Sequence, residues 1–376
     1  MGLPWQSGAE KGRGGMQAYI GIDCGRSWLK AVLYDAHGRR TAAIRVPIGS
    51  GPPRELFETV LTAFDCRPGL SAAVLVTSLE DPDQRAMLAA EFRRLFTRPH
   101  PRASLLTLGL DGRPRPLDER ASALDPRAAT VAAFAYARRH TPFADALLVE
   151  VGAATTRLGL LEGGELRRTH PGAPRLVFHP LGGDSRARWR EAEVILGPDS
   201  IHPACWRCGA AGPAAADGNE TVSVSDAACL LGRLPEGDRS RARAVTGAFG
   251  RHLAQPPDGA QPVELFARWI LEAAEESLAL ALVRAALDFG GESPAWLEPS
   301  SRSATLTRAL APFRTMPVRP FLELRLQLLR PLVAVGGAAA ILLPRPAVYL
   351  DTPLLLPPDH AFAAACGAVE TLLAAR

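Results

Sequence analysis

Lysine is almost missing from this chain of 376 residues: Lys11 and Lys30 are the only two, and arginine supplies the rest of the 43 basic side chains. These are interspersed with 39 acidic residues, leaving a formal net charge of +4. A surplus so small, without a block of like charge, gives no electrostatic footprint for nucleic acid, and no such partner is expected. Long apolar runs are missing as well. The most apolar stretch, Leu332–Leu343, is bounded by Pro331 and Pro344 and falls short of the roughly 20 residues that a bilayer span needs. It reads as a buried strand and turn, and no membrane partner is expected. The first fifteen residues have no apolar core of the kind a secretory signal carries and read as a disordered lead, with Met16 as the candidate start. Cysteine is sparse and scattered, with six in all. Without an export signal, that pattern predicts reduced thiols and a cytoplasmic protein. Three familiar sites are also absent from the sequence: a nucleophile elbow, a Walker-type Lys-Ser/Thr loop and a dinucleotide Gly-x-Gly-x-x-Gly.

With 47% hydrophobic residues, the chain has enough apolar side chains for a sizeable core, and its length suggests two domains, 16–145 and 146–376, behind a lead at 1–15. Tyr19–Asp35 reads as strand, tight turn at Gly25 and returning strand. Helical spacing follows at Glu55–Phe64 and Asp83–Phe96, with a strand at Ala72–Thr77 between them. The Pro- and Gly-rich stretch Arg98–Arg120 predicts a loop containing one strand, Ser104–Leu108. Asp125–Arg139 predicts a helix with Asp125 as N-cap and Pro126 at its first position. Ala146–Val151 and Leu158–Leu161 repeat the opening strand, turn and strand. Thr221–Leu234 predicts a short strand or turn leading into a helix capped by Ser225 or Asp226, and Val263–Ala286 a long helix with Glu272, Glu275 and Glu276 outward. Late strands are expected at Arg319–Leu326, Leu332–Val335 and Val348–Leu350, before a terminal helix at His360–Leu373. His100, His140, His252 and His360 read as surface residues.

The two strand-turn-strand units carry the candidate chemistry. A glycine in such a turn lets backbone N–H groups approach a polyphosphate closely. In the first unit, Gly25, Ser27 and Lys30 are the candidate phosphate contacts, and Asp23 is the carboxylate suited to a hard divalent cation. A bare β-hairpin uses the same residue types. In the second unit, Glu150 takes the acid's place, with Gly152, Thr155 and Thr156 beside the turn. Arg157 follows, a cation that would repel a metal ion there. Gly336 and Gly337 follow the Val333–Val335 strand and form a candidate strand-to-helix turn. Cys205-Trp-Arg-Cys208, with His202, has half of a zinc ligand set. Closing it would need Cys229, His170 or His179.

The segments Leu196-Gly-Pro-Asp-Ser-Ile-His-Pro-Ala-Cys-Trp-Arg-Cys-Gly209 and Thr221-Val-Ser-Val-Ser-Asp-Ala-Ala-Cys-Leu-Leu-Gly-Arg-Leu234 resemble paired motifs of the hydantoinase A and 5-oxoprolinase family. In that family a GPES-like turn with a PACY-like sequence precedes a TVTDA-like segment. Gly182-Gly-Asp-Ser185 also resembles the family's turn ahead of them, so that the likeness is strongest over 182–234. The resemblance implies an α/β fold of two actin- and sugar-kinase-like, ribonuclease H-like domains with an interdomain nucleotide cleft. It implies ATP and Mg²⁺ as cofactors and ATP-dependent hydrolysis of a cyclic amide, a hydantoin or oxoproline. It assigns Asp23 and Glu150 as catalytic, metal-facing acids, Lys30 and Thr155 to phosphate, and Gly336 and Gly337 to adenosine. It also gives Cys205 an origin in the PACY-like turn instead of a zinc site. The chain departs from the family pattern at Arg26, Ala153 and Arg157, which stand where two glycines and an aspartate are usual. Two other readings stay open: a small-molecule kinase or ligase of the same superfamily, such as those of one-carbon cofactor biosynthesis, and a non-catalytic subunit or scaffold. A homodimer or partner subunit is compatible with all three.

Overall fold

The computed structural model describes residues 17–25, 27–48, 52–65, 69–117, 124–152, 156–170, 176–178, 193–195, 222–235, 237–253, 263–291 and 326–376. Strands β1 (Ala18–Cys24), β2 (Trp28–Tyr34) and β3 (Arg40–Pro47) form an antiparallel meander. Helix α1 (Pro53–Phe64) leads to β4 (Leu70–Thr77), which runs parallel to β1, and α2 (Pro82–Thr97) leads to β5 (Ser104–Leu108), parallel to β4. A short β6 (Pro114–Pro116) closes a six-stranded sheet in the order β3-β2-β1-β4-β5-β6. Next come α3 (Ala128–Arg139) and a second meander, β7 (Ala146–Val151), β8 (Thr156–Glu162) and β9 (Glu165–His170). Strands β10 (Leu176–Phe178), β11 (Glu193–Ile195) and β12 (Val222–Ser223) form a small separate sheet. Helices α4 (Val224–Leu230), α5 (Arg239–Leu253) and α6 (Val263–Gly290) follow. The described chain ends with β13 (Leu332–Val335), α7 (Ala339–Leu342), α8 (Pro344–Tyr349), β14 (Leu354–Leu355), a 3-10 turn at His360–Phe362 and α9 (Ala363–Ala374).

The second large sheet has the order β14-β13-β7-β8-β9. Strand β13 is parallel to β7 and β14 to β13, which matches β5-β4-β1-β2-β3 of the first sheet in order and sense. The period of two gives each of the two large sheets two apolar faces. Ile20, Ile22, Leu29 and Ala31 pack outward against Phe57, Val60, Leu88, Phe92 and Phe96 of α1 and α2. Tyr19, Val32, Val74 and Val76 point the other way and share one core with Leu148, Leu161, Val333 and Val335 of the second sheet. Between the sheets lie α3 and α9, both buried along most of their length. Their closeness depends on missing side chains. A Cβ on Gly367 of α9 would strike the carbonyl of Ala132 in α3, and one on Gly21 of β1 would strike the carbonyl of Ala365. At the rim, Tyr34 donates from its hydroxyl to Glu370 Oε1 (3.2 Å), and His140 Nε2 lies 3.1 Å from the same oxygen.

Several expectations need correction. The α3 helix begins at Ala128 with Arg127 in the cap position. Asp125 instead accepts the Arg127 N–H at 2.8 Å and turns the chain before the helix starts. The cap of α4 is Ser223, not Ser225 or Asp226. Ser223 Oγ accepts the Asp226 N–H, and Asp226 returns a contact to the Ser223 N–H at 3.0 Å, a reciprocal capping box. Val348–Tyr349 is helical because the Pro-Arg-Pro at 344–346 presets a helical first turn. His100 is buried. Residues 319–325 and the side chain of His252 lie outside the described residues. Among the described residues, no helix is long and apolar enough to cross a membrane.

Glu275 is the largest departure. It does not face outward: its side chain is fully buried and ion-paired with Arg233 at 3.0 Å and Arg345 at 2.9 Å. Glu272 reaches Arg345 as well, at 3.3 Å. Burial lifts the Glu275 carboxyl above the ordinary carboxylate range, and Arg345 and Arg233 only partly offset it. A carboxyl whose folded pKa is raised binds its proton more tightly in the native state. Its contribution to stability therefore declines as pH rises from the ordinary range through the raised value.

Two outcomes follow from this packing. Gly367→Ala should destabilise the fold by about 1–3 kcal/mol through overpacking of α3 against α9, read by urea unfolding; unchanged stability would contradict the contact. Glu275→Gln should gain stability relative to wild type as pH rises from about 4 to 7, whereas a pH-independent difference would contradict the buried-carboxyl account.

Candidate functional site

Two hairpins of one design meet at the C-terminal ends of β1 and β7. In each, the penultimate residue of the first strand is an acid, and its partner across the ladder is a cation. Asp23 stands opposite Lys30, and Glu150 stands opposite Arg157. Strand alternation sets their direction: Asp23 shares a face with Tyr19, and Glu150 with Ala146 and Leu148, so both acids belong to the inward side that holds α3 and α9. They emerge where that apolar packing gives out. Lys30 Nζ lies 3.8 Å from Asp23 Oδ2, with both side chains nearly buried. The first turn is closed by the Gly25 N–H donating to the Trp28 carbonyl at 3.0 Å, and Thr77 holds the end of β1 through its hydroxyl, donating to the Cys24 carbonyl at 2.7 Å.

Burial raises the Asp23 carboxyl, and the Lys30 charge pulls it partly back. Burial likewise raises Glu150. A hydrogen bond from Thr130 opposes that rise, the Asp23 charge adds to it, and Lys30 and Arg157 work against it. Glu150 thus feels the Asp23 charge across the gap between the sheets.

The third part of the site is the turn after β13. Val335 lies beside Glu150 in the ladder, and the next residue, Gly336, has φ +100°, a backbone region that favours glycine. Its Cβ position is also filled by the backbone of Val151. The Gly336 N–H donates to the His360 carbonyl at 2.7 Å, pinning the turn to the segment that enters α9. Gly337 differs: a Cβ there would meet only Lys30 Nζ, at 3.8 Å, an ordinary contact.

A single cleft joins the three parts, lined by Asp23, Gly25, Ser27, Lys30, Glu150, Gly152, Gly336 and Gly337. Thr156 is buried at the start of β8, opposite Val151, and does not line the cleft. Thr155, Arg26, Ala153, Gly182–Ser185, His202, Cys205 and Cys208 lie outside the described residues. Among the described residues, no group of three His, Cys, Asp or Glu side chains could hold a metal ion. Trp28, Arg45, Ser78, Glu80 and Thr130 also line the polar end, and none had been singled out. The strand register carried a signal for two of them: Trp28 is two residues from Lys30, and Arg45 pairs with Lys30 across β2 and β3. The Arg45 guanidinium sits 4.6 Å from the centre of the Trp28 ring. The rest of the lining is mostly apolar, built from Val224, Ala228 and Leu234 at α4, with Ser225 among them, and Ala338, Ile341 and Leu342 at α7.

This division suits a ligand with an apolar, flat body and an anionic tail, as ATP has. The turn at Gly336 brings backbone to the cleft, with Lys30 beside it at Gly337. For magnesium, the donor set is two carboxylates, each with a cation opposite. That fits an ion held chiefly by phosphate and water, and not one caged by protein.

The model of the Hydantoinase/oxoprolinase family matches residues 120–291, which span β7, β8 and helices α3 to α6. Residues 120–291 are thus similar to a hydantoinase/oxoprolinase segment. No curated protein matches the chain. Among solved structures, the nucleotide-free acetone carboxylase of ATP-dependent acetone carboxylation is 11% identical, with a TM-score of 0.56 over 94% of this chain and 70% of that one. A weaker likeness is to component A of the Acidaminococcus fermentans (R)-2-hydroxyglutaryl-CoA dehydratase, at 12% identity and TM-score 0.44 over 96% and 100% of the two chains. Another is to a ROK family glucokinase from Streptomyces griseus solved with glucose and AMPPNP, at 14% identity and TM-score 0.37 over 95% and 98%. The fold is the actin- and sugar-kinase-like α/β architecture, with the cleft between its two sheets.

The two glycines of this cleft should respond differently to substitution. Gly336→Ala should lose about 2–3 kcal/mol from backbone strain and the clash with Val151, while Gly337→Ala should unfold like wild type. Thermal unfolding of both variants checks this, and equal effects would contradict the turn geometry.

Proposed function

We propose that the cleft binds ATP, with the adenosine against the apolar end and the phosphates at the two hairpins. We propose further that the protein uses it to activate the carbonyl oxygen of a cyclic amide, a hydantoin or oxoproline, toward hydrolysis. The observation that carries this reading is the paired hairpins, each with an acid and a cation at one mouth of a cleft whose other wall is the Gly336 turn. The family match over 120–291 supports the substrate class. Bound ATP supplies a phosphoryl group that turns an amide oxygen into a leaving group. The chain's own residues do the rest. Lys30 and the backbone at Gly152 orient the phosphates, and Asp23 and Glu150 are placed for a magnesium ion or for a proton of the attacking water. The apolar wall of Val224, Ile341 and Leu342 excludes water from the base.

Calorimetric titration with ATP tests the reading, and micromolar affinity is expected. ATP consumption should rise in the presence of a hydantoin or 5-oxoproline, and Asp23→Asn should lower it by on the order of a hundredfold. Absence of binding up to millimolar ATP would overturn the proposal. One observation favours a second reading: Arg157 stands opposite Glu150, where a second acid would help a metal. A non-catalytic subunit of this fold would bind ATP without ever consuming it.

A further inference from the structure

We infer that Lys30 and Arg157 take over the charge-neutralising work of a divalent cation at this cleft, so that its affinity for a nucleoside triphosphate does not depend on a metal. The inference rests on the ATP reading above and adds to it which groups hold the phosphates.

The ladder registers make the argument. The acid of each hairpin has a cation directly opposite, Lys30 for Asp23 and Arg157 for Glu150, while Glu80 is a third carboxylate in the lining. Neighbouring strands lie about 5 Å apart. An ion placed to touch both carboxylates therefore shares the cleft with Lys30, 3.8 Å from Asp23, and with Arg157, which lines it too, and their repulsion offsets part of what the acids offer. No third acidic or imidazole ligand completes a set among the described residues. A polyphosphate meets the reverse balance. Lys30 is nearly buried, where charge interactions are screened least. Arg157 offers a planar fork that matches phosphate oxygens two at a time. A third cation, Arg45, continues the row by pairing with Lys30 across the next two strands, and it too lines the cleft.

The same geometry explains why the two acids can remain without holding a metal. With Lys30 at 3.8 Å, Asp23 keeps the ammonium aimed into the cleft mouth. Glu150, hydrogen-bonded to Thr130 and facing Arg157 across the ladder, is placed to do the same for the guanidinium. In this arrangement the carboxylates position the cations that meet the phosphates.

The test is titration of the full chain with ATP in excess EDTA and again in excess magnesium chloride. Wild type should bind in both, with dissociation constants within about threefold. Arg157→Ala should lose on the order of tenfold in EDTA, the weight of one charged hydrogen-bonded contact, and Arg157→Lys should recover part of it. Arg157→Asp should bind poorly in EDTA and gain when magnesium is added. Thermal unfolding of each variant without ligand separates a lost contact from a lost fold, and the wild-type comparison stands if a variant fails to fold. Binding by wild type only in magnesium would overturn this inference while leaving the ATP reading intact, and unchanged affinity in Arg157→Ala would overturn it as well. Absence of binding in both buffers would overturn both.

Discussion

The close approach of α3 and α9 is the contact on which the rest of this protein depends. Both helices are made largely of alanine on their buried faces, and Gly367 lets the α9 backbone lie against Ala132 of α3. Small residues bring the helices near, and near helices allow two sheets to share one apolar core instead of two. Tyr19, Val32 and Val74 from the first sheet and Leu148, Leu161 and Val333 from the second belong to that core. Because both sheets pack on the same helix pair with the same face, the ends of β1 and β7 come to one place. The cleft is thus a consequence of helix packing, and its dimensions are set by residues that never touch a ligand.

Duplication then fixes the electrostatics. Each sheet has a meander with an acid at the penultimate position of its first strand and a cation opposite it. Two such pairs facing each other form an alternating arrangement with no net charge, in a setting where burial raises both carboxyls. Such an arrangement has little field at a distance and strong, directional fields close by. It suits a site that selects an elongated anion by shape and contact rather than one that draws ions from solution. The apolar wall beside α4 and α7 adds the second half of that selection.

Much of the site was legible from residue types and spacing. Asp23, Gly25 and Lys30 stand out by strand period and glycine placement, which are local signals, and Glu150, Gly336 and Gly337 chiefly by the family resemblance; the fold brings all six to one cleft, whatever their roles. The misreadings have a common cause in partners that are distant along the chain or in competing local chemistry. Glu275 looked like an outward residue of an amphipathic helix. It is buried because Arg345, far along the chain, turns inward to meet it. At α4 the cap was assigned two or three residues late, since Ser223, Ser225 and Asp226 are all good capping residues and only the reciprocal bond selects Ser223. Strand β6 has proline at both ends and is tolerated as an edge strand, paired among the described residues with β5. The apolar wall of the cleft was not legible, because Val224 and Leu234 meet Ile341 only through the tertiary fold.

The most direct test of the shared cleft uses the scarcity of lysine. An acyl phosphate derivative of ATP transfers its acyl group to an amine held beside the phosphates, and the chain offers Lys30 in the cleft with Lys11 as an internal control. The account predicts that mass spectrometry after labelling finds the acyl group on Lys30, that excess ATP suppresses it, and that Lys11 is indifferent to ATP. Labelling of Lys30 that excess ATP leaves unchanged, or no labelling of Lys30 at all, would contradict a nucleotide site between the two hairpins.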